Sequence, residues 1–228
     1  MNQEFDSPIS IYFEKRVHEY EDVFSYYFSV ADDFTFKAGQ NVRVVVPQLE
    51  GDAARRSLSI ASSPTESLLQ FTLHVGSHSA YKKAFMNLQT GDELHVVKLK
   101  GKTILPEDDS CPIVCIAGGI GIVPFRSILM SLHEKGQAHR ASLVHVSSHE
   151  YLYEDELSPL LTQQYRITRP EIETTVTEVL KDKPSALYYV AGPPTFIDSL
   201  VALLTQHGIN EENILFSRFT GYEDRFDS

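Results

Sequence analysis

Three short segments of the sequence carry residue types that could bind phosphate groups. Two are rich in glycine, at 117–124 (Ala-Gly-Gly-Ile-Gly-Ile-Val-Pro) and 190–195 (Val-Ala-Gly-Pro-Pro-Thr), and the third, at 55–64, opens with two arginines. Glycine lets a backbone approach a phosphate closely, and a helix N-terminus adds free N–H groups and a positive dipole end. An arginine can bind a diphosphate through two parallel hydrogen bonds. Taken singly, each segment also suits a structural role, as a tight turn, a stiff helix cap or an edge strand.

The third segment reads as an extended strand with two different faces. Arg56 and Leu58 share one side, and Ser57 and Ser59 share the other. The guanidinium could hold a diphosphate while the leucine covers a flat apolar ring. Solvated arginines on an edge strand remain the structural alternative.

The second half of the chain alternates strands with helices. The predicted strands are 112–117, 142–147 and 187–191, and the predicted helices are 124–135 and 196–207. Pro124 suits the first position of a helix, and Gly136 and Gly208 suit the positions that end one. This alternation predicts a doubly wound parallel sheet, which binds ligands beyond the carboxyl ends of its strands.

The first half reads as short strands separated by turns. Residues 41–46, 69–75 and 93–99 are rich in β-branched or alternating apolar residues, which predicts an antiparallel β-barrel. An acidic run, Glu-Asp-Asp-Ser at 107–110, follows Pro106 and suits a linker. The sequence therefore predicts two domains, 1–108 and 109–228.

Composition excludes several other classes of protein. The chain has 228 residues, 20 Lys and Arg against 31 Asp and Glu, and a net charge of −11, which argues against a nucleic-acid-binding surface. We find no apolar run long enough for a transmembrane segment and no signal-peptide pattern, which favours a cytoplasmic protein. The two cysteines, Cys111 and Cys115, are poorly spaced for a disulfide and too few for an iron–sulfur cluster.

In this order the motifs resemble those of the ferredoxin–NADP reductase superfamily, whose members pair a flavin-binding barrel with a nicotinamide-nucleotide-binding α/β domain. The resemblance covers nearly the whole chain. Phe-Lys-Ala-Gly-Gln at 36–40 is similar to the family's Pro-Gly-Gln turn, Arg-Ser-Leu-Ser at 56–59 to its Arg-x-Tyr-Ser motif, and Gly-Ser-His-Ser at 76–79 to its Gly-x-x-Ser loop. The glycine segments resemble its two nicotinamide-nucleotide motifs, and Phe-Thr-Gly-Tyr at 219–222 resembles its aromatic C-terminal end.

The resemblance implies roles for the barrel residues around FAD, with FMN a less favoured ligand. Arg56 would hold the diphosphate, Leu58 would lie against the isoalloxazine, and Ser59 would lie near flavin N5. Four further residues complete the implied flavin site, three along the edge of the ring and one at the phosphate: His74, Val75, Gly76 and Ser79.

In the second domain the resemblance implies a site for the nicotinamide nucleotide. Gly119 and Gly121 would let the nucleotide approach, and Gly192 and Pro193 would shape the nicotinamide pocket. The motif residues are Gly119, Gly121, Pro124, Gly192, Pro193 and Pro194. Phe219 or Tyr222 would cover the flavin face that the nicotinamide must reach, either as a mobile lid or as a C-terminal anchor.

Four positions depart from the family pattern. Leu58 replaces a tyrosine, Ile120 a frequent threonine, Ala191 a cysteine, and Ser217 stands where an acidic residue is frequent. Hydride transfer does not require these side chains, because the flavin carries the chemistry. The departures nevertheless motivate an alternative function, a nucleotide-binding regulatory or electron-transfer subunit that is inactive without a partner enzyme.

Charge near the adenosine ribose decides between NADH and NADPH, because a 2′-phosphate needs a cationic partner. The segment 145–156 contains several acids and no arginine or lysine, which favours NADH. Arg166 and Arg169 are the nearest cations that could overturn this preference.

The resemblance therefore implies a flavin oxidoreductase that passes hydride from NADH, or less favourably NADPH, to FAD. The acceptor would be separate: a ferredoxin, another redox protein, a free flavin or a metal chelate. Lys98, Lys100 and Lys102 alternate on a predicted strand. They would form either a solvated edge or a docking patch for an acidic partner.

Overall fold

The computed structural model describes residues 3–31, 34–76, 79–101, 103–106 and 110–218. The chain divides into two compact units, Met1–Ile104 and Leu105–Ser228. Residues 107–109 of the linker predicted at 107–110 lie outside the described residues, so the boundary between 108 and 109 stays a prediction. Within the described ranges, no helix is both long enough and apolar enough to span a bilayer.

The N-terminal unit is a six-stranded antiparallel sheet with the order β4-β3-β6-β1-β2-β5. Its strands are β1 (Gln3–Tyr20), β2 (Val23–Val30), β3 (Asn41–Val45), β4 (Arg55–Ser59), β5 (Leu69–His74) and β6 (Glu93–Lys100), and its helix is α1 (Ala80–Asn87). Beyond the end of β4, the N–H of Ala61 donates to the carbonyl of Gln70 on β5, 2.8 Å away. This bond nearly closes the sheet, and the predicted barrel is confirmed.

Aromatic packing fills the interior of the barrel. Tyr81 and Phe85 from α1 stack with ring centroids 5.0 Å apart, and Tyr26 meets Phe85 edge-on at 5.1 Å. These three rings are almost completely buried, so α1 forms part of the barrel core and lies in a fixed position relative to it.

The C-terminal unit is a five-stranded parallel sheet with the order β11-β10-β7-β8-β9. Its strands are β7 (Ile113–Gly118), β8 (Ala141–Val146), β9 (Gln163–Ile167), β10 (Leu187–Gly192) and β11 (Ile214–Arg218), and its helices are α2 (Val123–Glu134), α3 (Glu154–Leu157), α4 (Ile172–Asp182) and α5 (Pro194–Gln206). The α4 and α5 helices share an apolar cluster with one face of the sheet. Right-handed crossovers place α2 on the opposite face, and the predicted doubly wound sheet is confirmed.

The strand order creates a switch point between β7 and β10. These strands pair in parallel from Leu187 opposite Ile113 to Ala191 opposite Ala117. The chain leaves β7 towards β8 on one side and leaves β10 towards β11 on the other. The turns that follow β7 and β10 therefore meet at the carboxyl edge of the sheet, where doubly wound folds bind their ligands.

The predicted elements agree with the structure to within about two residues at each end. The predicted helix 124–135 is α2, Val123–Glu134. Gly136 then adopts a left-handed φ of 70°, and the N–H of Gln137 bonds the carbonyl of Leu132 at 2.7 Å, which ends the helix. The 18-residue β1 was not predicted, because its register shifts interrupt the alternation of apolar side chains.

Candidate functional site

Arg56 lies beside the start of α1. Its guanidinium sits over the ring of Tyr81, the second residue of that helix, 5.6 Å from the ring centroid. Nη1 of Arg56 also donates to the carbonyls of Asp52 and Arg55, at 2.8 and 2.7 Å. Because Tyr81 is fixed in the core, the cation is held close to a helix N-terminus, and both groups attract anions.

Ser79 is the N-cap residue of α1, and its side chain makes no capping hydrogen bond. The N–H groups at the start of the helix therefore do not have a hydroxyl partner from their own cap residue. With the Arg56 guanidinium nearby, this donor set fits a phosphate or a diphosphate.

The rest of the arginine-serine motif lies along β4. Leu58 pairs with Val42 of β3 and belongs to the barrel core, with 9% of its surface exposed. Ser57 is exposed and Ser59 is half-buried, so the two serines lie on the other side of the strand, as predicted. Leu58 therefore offers only a small apolar surface at the margin of the core.

His74 ends β5 and is oriented by an aspartate from the β1–β2 turn. Its Nδ1 lies 2.7 Å from Oδ1 of Asp22, and the N–H of Val75 bonds the carbonyl of Asp22 at 2.8 Å. Val75 is buried and Gly76 is exposed. The 76–79 loop is described only at its two ends, because residues 77 and 78 lie outside the described ranges.

The two glycine turns of the C-terminal unit touch each other. A Cβ on Gly121 would lie 2.2 Å from the carbonyl oxygen of Ala191, far inside contact distance, so only glycine fits this position without a shift. A Cβ on Gly118 or Gly192 would meet the ring of Phe196, at 3.1 and 2.8 Å. These three glycines therefore permit close packing of the two turns.

Gly119 differs from the other glycines of these turns. It adopts a left-handed φ of 54°, and among the described residues, its two chain neighbours aside, no atom lies within 4 Å of the place where its Cβ would be. It opens the 3₁₀ turn Gly119–Ile122, which leads into α2 with Pro124 as its second residue. Gly119 is thus the glycine of this turn that faces open space, where a ligand could approach.

His145 is hydrogen-bonded to the turn that begins at Gly119. It lies on β8, is 1% exposed, and its Nε2 is 2.9 Å from the carbonyl oxygen of Gly119. Since a carbonyl only accepts, Nε2 must carry the proton. Burial lowers the pKa of His145 to about 4, against a smaller upward effect of the bond to Gly119, so the imidazole is neutral at pH 7.

The segment after β8 is fixed by two ion pairs. Arg126 of α2 is buried, and Nε donates to Glu156 at 2.7 Å while a second nitrogen contacts the same carboxylate. Arg166 of β9 pairs with Glu154. One of the two cations suspected of favouring NADPH is thus already paired with a carboxylate.

A cleft of about 550 Å³ opens between the start of α4 and α5. Arg169 and Glu173 line one wall, and Thr195, Phe196 and Ser199 line the other. Phe196 lines this cleft and also packs against Gly118 and Gly192. Arg169, the second suspected cation, lines the same cleft.

Arg43 joins Lys98 and Lys100 of the predicted basic patch in the structure. Lys98 and Lys100 of β6 lie opposite Arg43 and Asn41 of β3, and Lys98 pairs with Glu4. Partial burial, with Arg43 and Lys98 nearby, lowers the pKa of Lys100. Lys102 lies outside the described residues.

Some sequence predictions cannot be placed. Phe219 and Tyr222 lie outside the described residues, so their predicted cover over a flavin stays a prediction.

Gly192 ends β10, Pro193 caps α5 and Pro194 opens it. Within the described ranges no group of three or more His, Cys, Asp or Glu residues could hold a metal ion.

Comparison with known proteins finds similar flavohemoproteins and reductases. It is 28% identical over 236 residues to flavohemoprotein A of Dictyostelium discoideum, covering 90% of this chain and 59% of that protein. It is 26% identical over 213 residues to the reductase component of propane 2-monooxygenase from Mycolicibacterium goodii, covering 82% and 60%. A ferredoxin–NADP⁺ reductase from Neisseria gonorrhoeae, solved with FAD and NADP, superposes with a TM-score of 0.76 at 19% identity, covering 92% and 97%. No family model matches the chain.

The chain is similar in sequence and in fold to members of the ferredoxin–NADP reductase superfamily. The resemblance inferred from the motifs is confirmed. The chain spans about 60% of the length of the two curated relatives described above.

Three residues that support the site were not predicted from the sequence. His145, Arg126 and Asp22 belong to none of the motifs described above. Their partners lie 26, 30 and 52 residues away along the chain. Only the fold brings each pair together.

The contact between the turns predicts unequal effects of two similar substitutions. Gly121→Ala should lower the free energy of unfolding by about 3 kcal/mol, because its methyl group would displace the Ala191 carbonyl. Gly119→Ala should cost only about 1 kcal/mol, the strain of a left-handed alanine. Chemical denaturation of both variants tests this, and equal losses would show that the two turns do not restrict Gly121.

Burial of His145 predicts a loss of stability in acid. The unfolded chain takes up a proton near pH 6.5, whereas folded His145 stays neutral until about pH 4. Stability should therefore fall by about 3 kcal/mol from this residue as the pH drops between these values. Chemical denaturation of the wild type and of His145→Gln, at pH values from about 4 to about 7, measures this loss of stability. Parallel pH curves for the two proteins would contradict the assignment.

Proposed function

We propose that this chain is a flavin-dependent NAD(P)H oxidoreductase. The observation that carries the proposal is that each compact unit has, at the start of a helix, a set of donors that would suit an anion. In the N-terminal unit the site combines Arg56 with the beginning of α1. In the C-terminal unit it is the turn at Gly119, beside the switch point of the sheet. A flavin and a nicotinamide nucleotide, each anionic, suit such sites.

The flavin in this proposal is FAD, with FMN less favoured, because Arg56 and α1 together offer enough donors for a diphosphate. Ser79 would bind the phosphate, and Leu58 and Ser59 would lie at the ring. His74, Val75 and Gly76 would line its edge, and Asp22 would fix the orientation of His74. When bound, the flavin supplies hydride acceptance and single-electron release. The chain's own residues bind and orient it.

NADH is the proposed electron donor. The segment that follows β8 carries acids, and Arg166 and Arg126 are both paired with carboxylates of that segment. A 2′-phosphate would therefore meet repulsion there without a free cation from either arginine. Gly121, Gly192, Pro193 and Pro194 would shape the nicotinamide pocket, with Pro124 starting the helix behind it.

The proposed electron acceptor is a separate redox centre. The M. goodii relative is the reductase component of a monooxygenase, which supports a role of this kind. Cys111 is half-buried and Cys115 fully buried, and neither is in a disulfide. Two thiols cannot hold an iron–sulfur cluster. The cluster of Arg43, Lys98 and Lys100 supports an acidic ferredoxin-like protein over a free flavin.

A second candidate is a nucleotide-binding regulatory or electron-transfer subunit without activity of its own. The small apolar surface of Leu58, in place of a stacking tyrosine, favours this candidate. Such a subunit would bind nucleotides and leave the flavin oxidised when NADH is added.

Arg56→Ala should weaken FAD binding about tenfold to a hundredfold, because a charge-assisted hydrogen bond contributes roughly 1.5–3 kcal/mol. Titration of flavin-free protein with FAD measures the dissociation constant. Addition of NADH without oxygen should then bleach the bound flavin of the wild type.

The matched control is Arg55→Ala, the exposed neighbour on the same strand, which should bind FAD as the wild type does. Equal losses in both variants would argue against a diphosphate site at Arg56. Bound flavin that NADH and NADPH both fail to reduce would favour the regulatory subunit.

The ion pairs of the β8 segment predict a coenzyme preference. The kcat/KM for NADH should exceed that for NADPH by about tenfold or more, a difference of roughly 1.4 kcal/mol. Arg169→Ala should lower the residual activity with NADPH and leave that with NADH unchanged, since Arg169 is the cation in the cleft. Comparable kcat/KM values with both coenzymes would contradict the preference for NADH.

A further inference from the structure

His145 is a buried titratable side chain for which the proposed reaction has no chemical use. It is 1% exposed and lies on β8, opposite Ala117 of β7 in the parallel register. Its neighbours Val144 and Val146 belong to the apolar cluster on the face of α4 and α5. Side chains alternate along a strand, so His145 points to the face of the sheet opposite Val144 and Val146, towards the turn that leads into α2.

A polar ring in this position costs free energy unless it forms a hydrogen bond. The bond it forms is to the carbonyl oxygen of Gly119, 2.9 Å from Nε2. The ring of Tyr151 meets the imidazole edge-on with centroids 5.3 Å apart. Tyr151 belongs to the segment that the pair of Arg126 and Glu156 attaches to α2. The imidazole is thus held between a fixed segment and the glycine turn.

The hydrogen bond determines the orientation of one peptide group. The chain has no cis peptide among its described residues, so the carbonyl of Gly119 and the N–H of Ile120 point in opposite directions. With the carbonyl directed to His145, the N–H of Ile120 points away from it. Gly119 has open space on its Cβ side, so a ligand can approach the turn.

We propose that His145 is a positioning residue, which holds the Gly119–Ile120 peptide so that its N–H is presented to a phosphate of the nicotinamide nucleotide. The inference rests on the proposed function of this turn. Loss of the imidazole donor leaves the buried carbonyl without its partner, and the peptide is then free to rotate. Nucleotide binding should suffer, whereas hydride transfer from a bound nucleotide should not.

Three substitutions of His145 separate the effect of its hydrogen-bond donor from the effect of its side-chain shape. In His145→Gln the amide nitrogen can take the place of Nε2, and this variant should rescue binding. His145→Met fills similar space without a donor, and His145→Asn keeps a donor that is too short to reach Gly119. His139→Met, at an exposed position before β8 and outside the segment 145–156, is the control.

The measurements are KM and kcat with NADH at pH 7 on the FAD-loaded protein, and calorimetric titration of the flavin-free protein with NAD⁺. His145→Met and His145→Asn should raise KM and the NAD⁺ dissociation constant about tenfold, which corresponds to roughly 1.4 kcal/mol. Their kcat should stay within about twofold of wild type. His145→Gln should lie much closer to wild type in all three quantities.

Two failures are distinguishable. A wild-type protein that binds neither NAD⁺ nor NADH overturns the proposed function and this inference with it. A wild type that binds, with His145→Gln no better than His145→Asn, overturns the positioning role alone. If His145→Met does not fold, the comparison of His145→Gln with His145→Asn tests the positioning role of His145.

Discussion

The close approach of Gly121 to the carbonyl of Ala191 is the contact on which the C-terminal site depends. A side chain at 121 would lie 2.2 Å from that oxygen, so the two turns can meet only because glycine lacks one. The contact joins the ends of β7 and β10 at the point where the sheet changes direction. Phe196 then packs against Gly118 and Gly192 from the start of α5. The missing side chains of Gly118, Gly121 and Gly192 thus let two strand ends, two turns and a helix pack closely together.

The glycines of this corner divide into two physical classes. Gly118, Gly121 and Gly192 are required because backbone or ring atoms lie where their Cβ would be, whereas Gly119 is required by its left-handed backbone and faces open space. Glycine-rich motifs are commonly interpreted as ligand-facing throughout. Here Gly118, Gly121 and Gly192 allow the turns and α5 to pack closely, and Gly119 leaves room for a nucleotide. His145 adds the hydrogen bond that determines how the open peptide is turned.

The sequence predicted most of the fold, because strand alternation, buried apolar runs and proline or glycine at helix ends are local signals. It predicted the switch-point turns for the same reason. It did not predict the supports of the site. Arg126 and Glu156 are 30 residues apart in the sequence, and His74 and Asp22 are 52 apart. Pairs so widely separated produce no periodic pattern in the sequence. His145 was missed because its partner, the carbonyl of Gly119, lies 26 residues away along the chain.

The two proposed nucleotide sites differ in a way that suits their different tasks. The barrel site adds an exposed arginine charge to the start of a helix, and charge-assisted bonds are roughly twice as strong as neutral ones. At the glycine turn, Arg126 in the first turn of α2 is already committed to Glu156, so the turn offers neutral N–H groups and the helix dipole. A flavin cofactor must stay bound through many turnovers, whereas a nicotinamide nucleotide must leave after each one. Because the stronger donor set lies in the barrel, the charge distribution favours a retained flavin and an exchanging coenzyme.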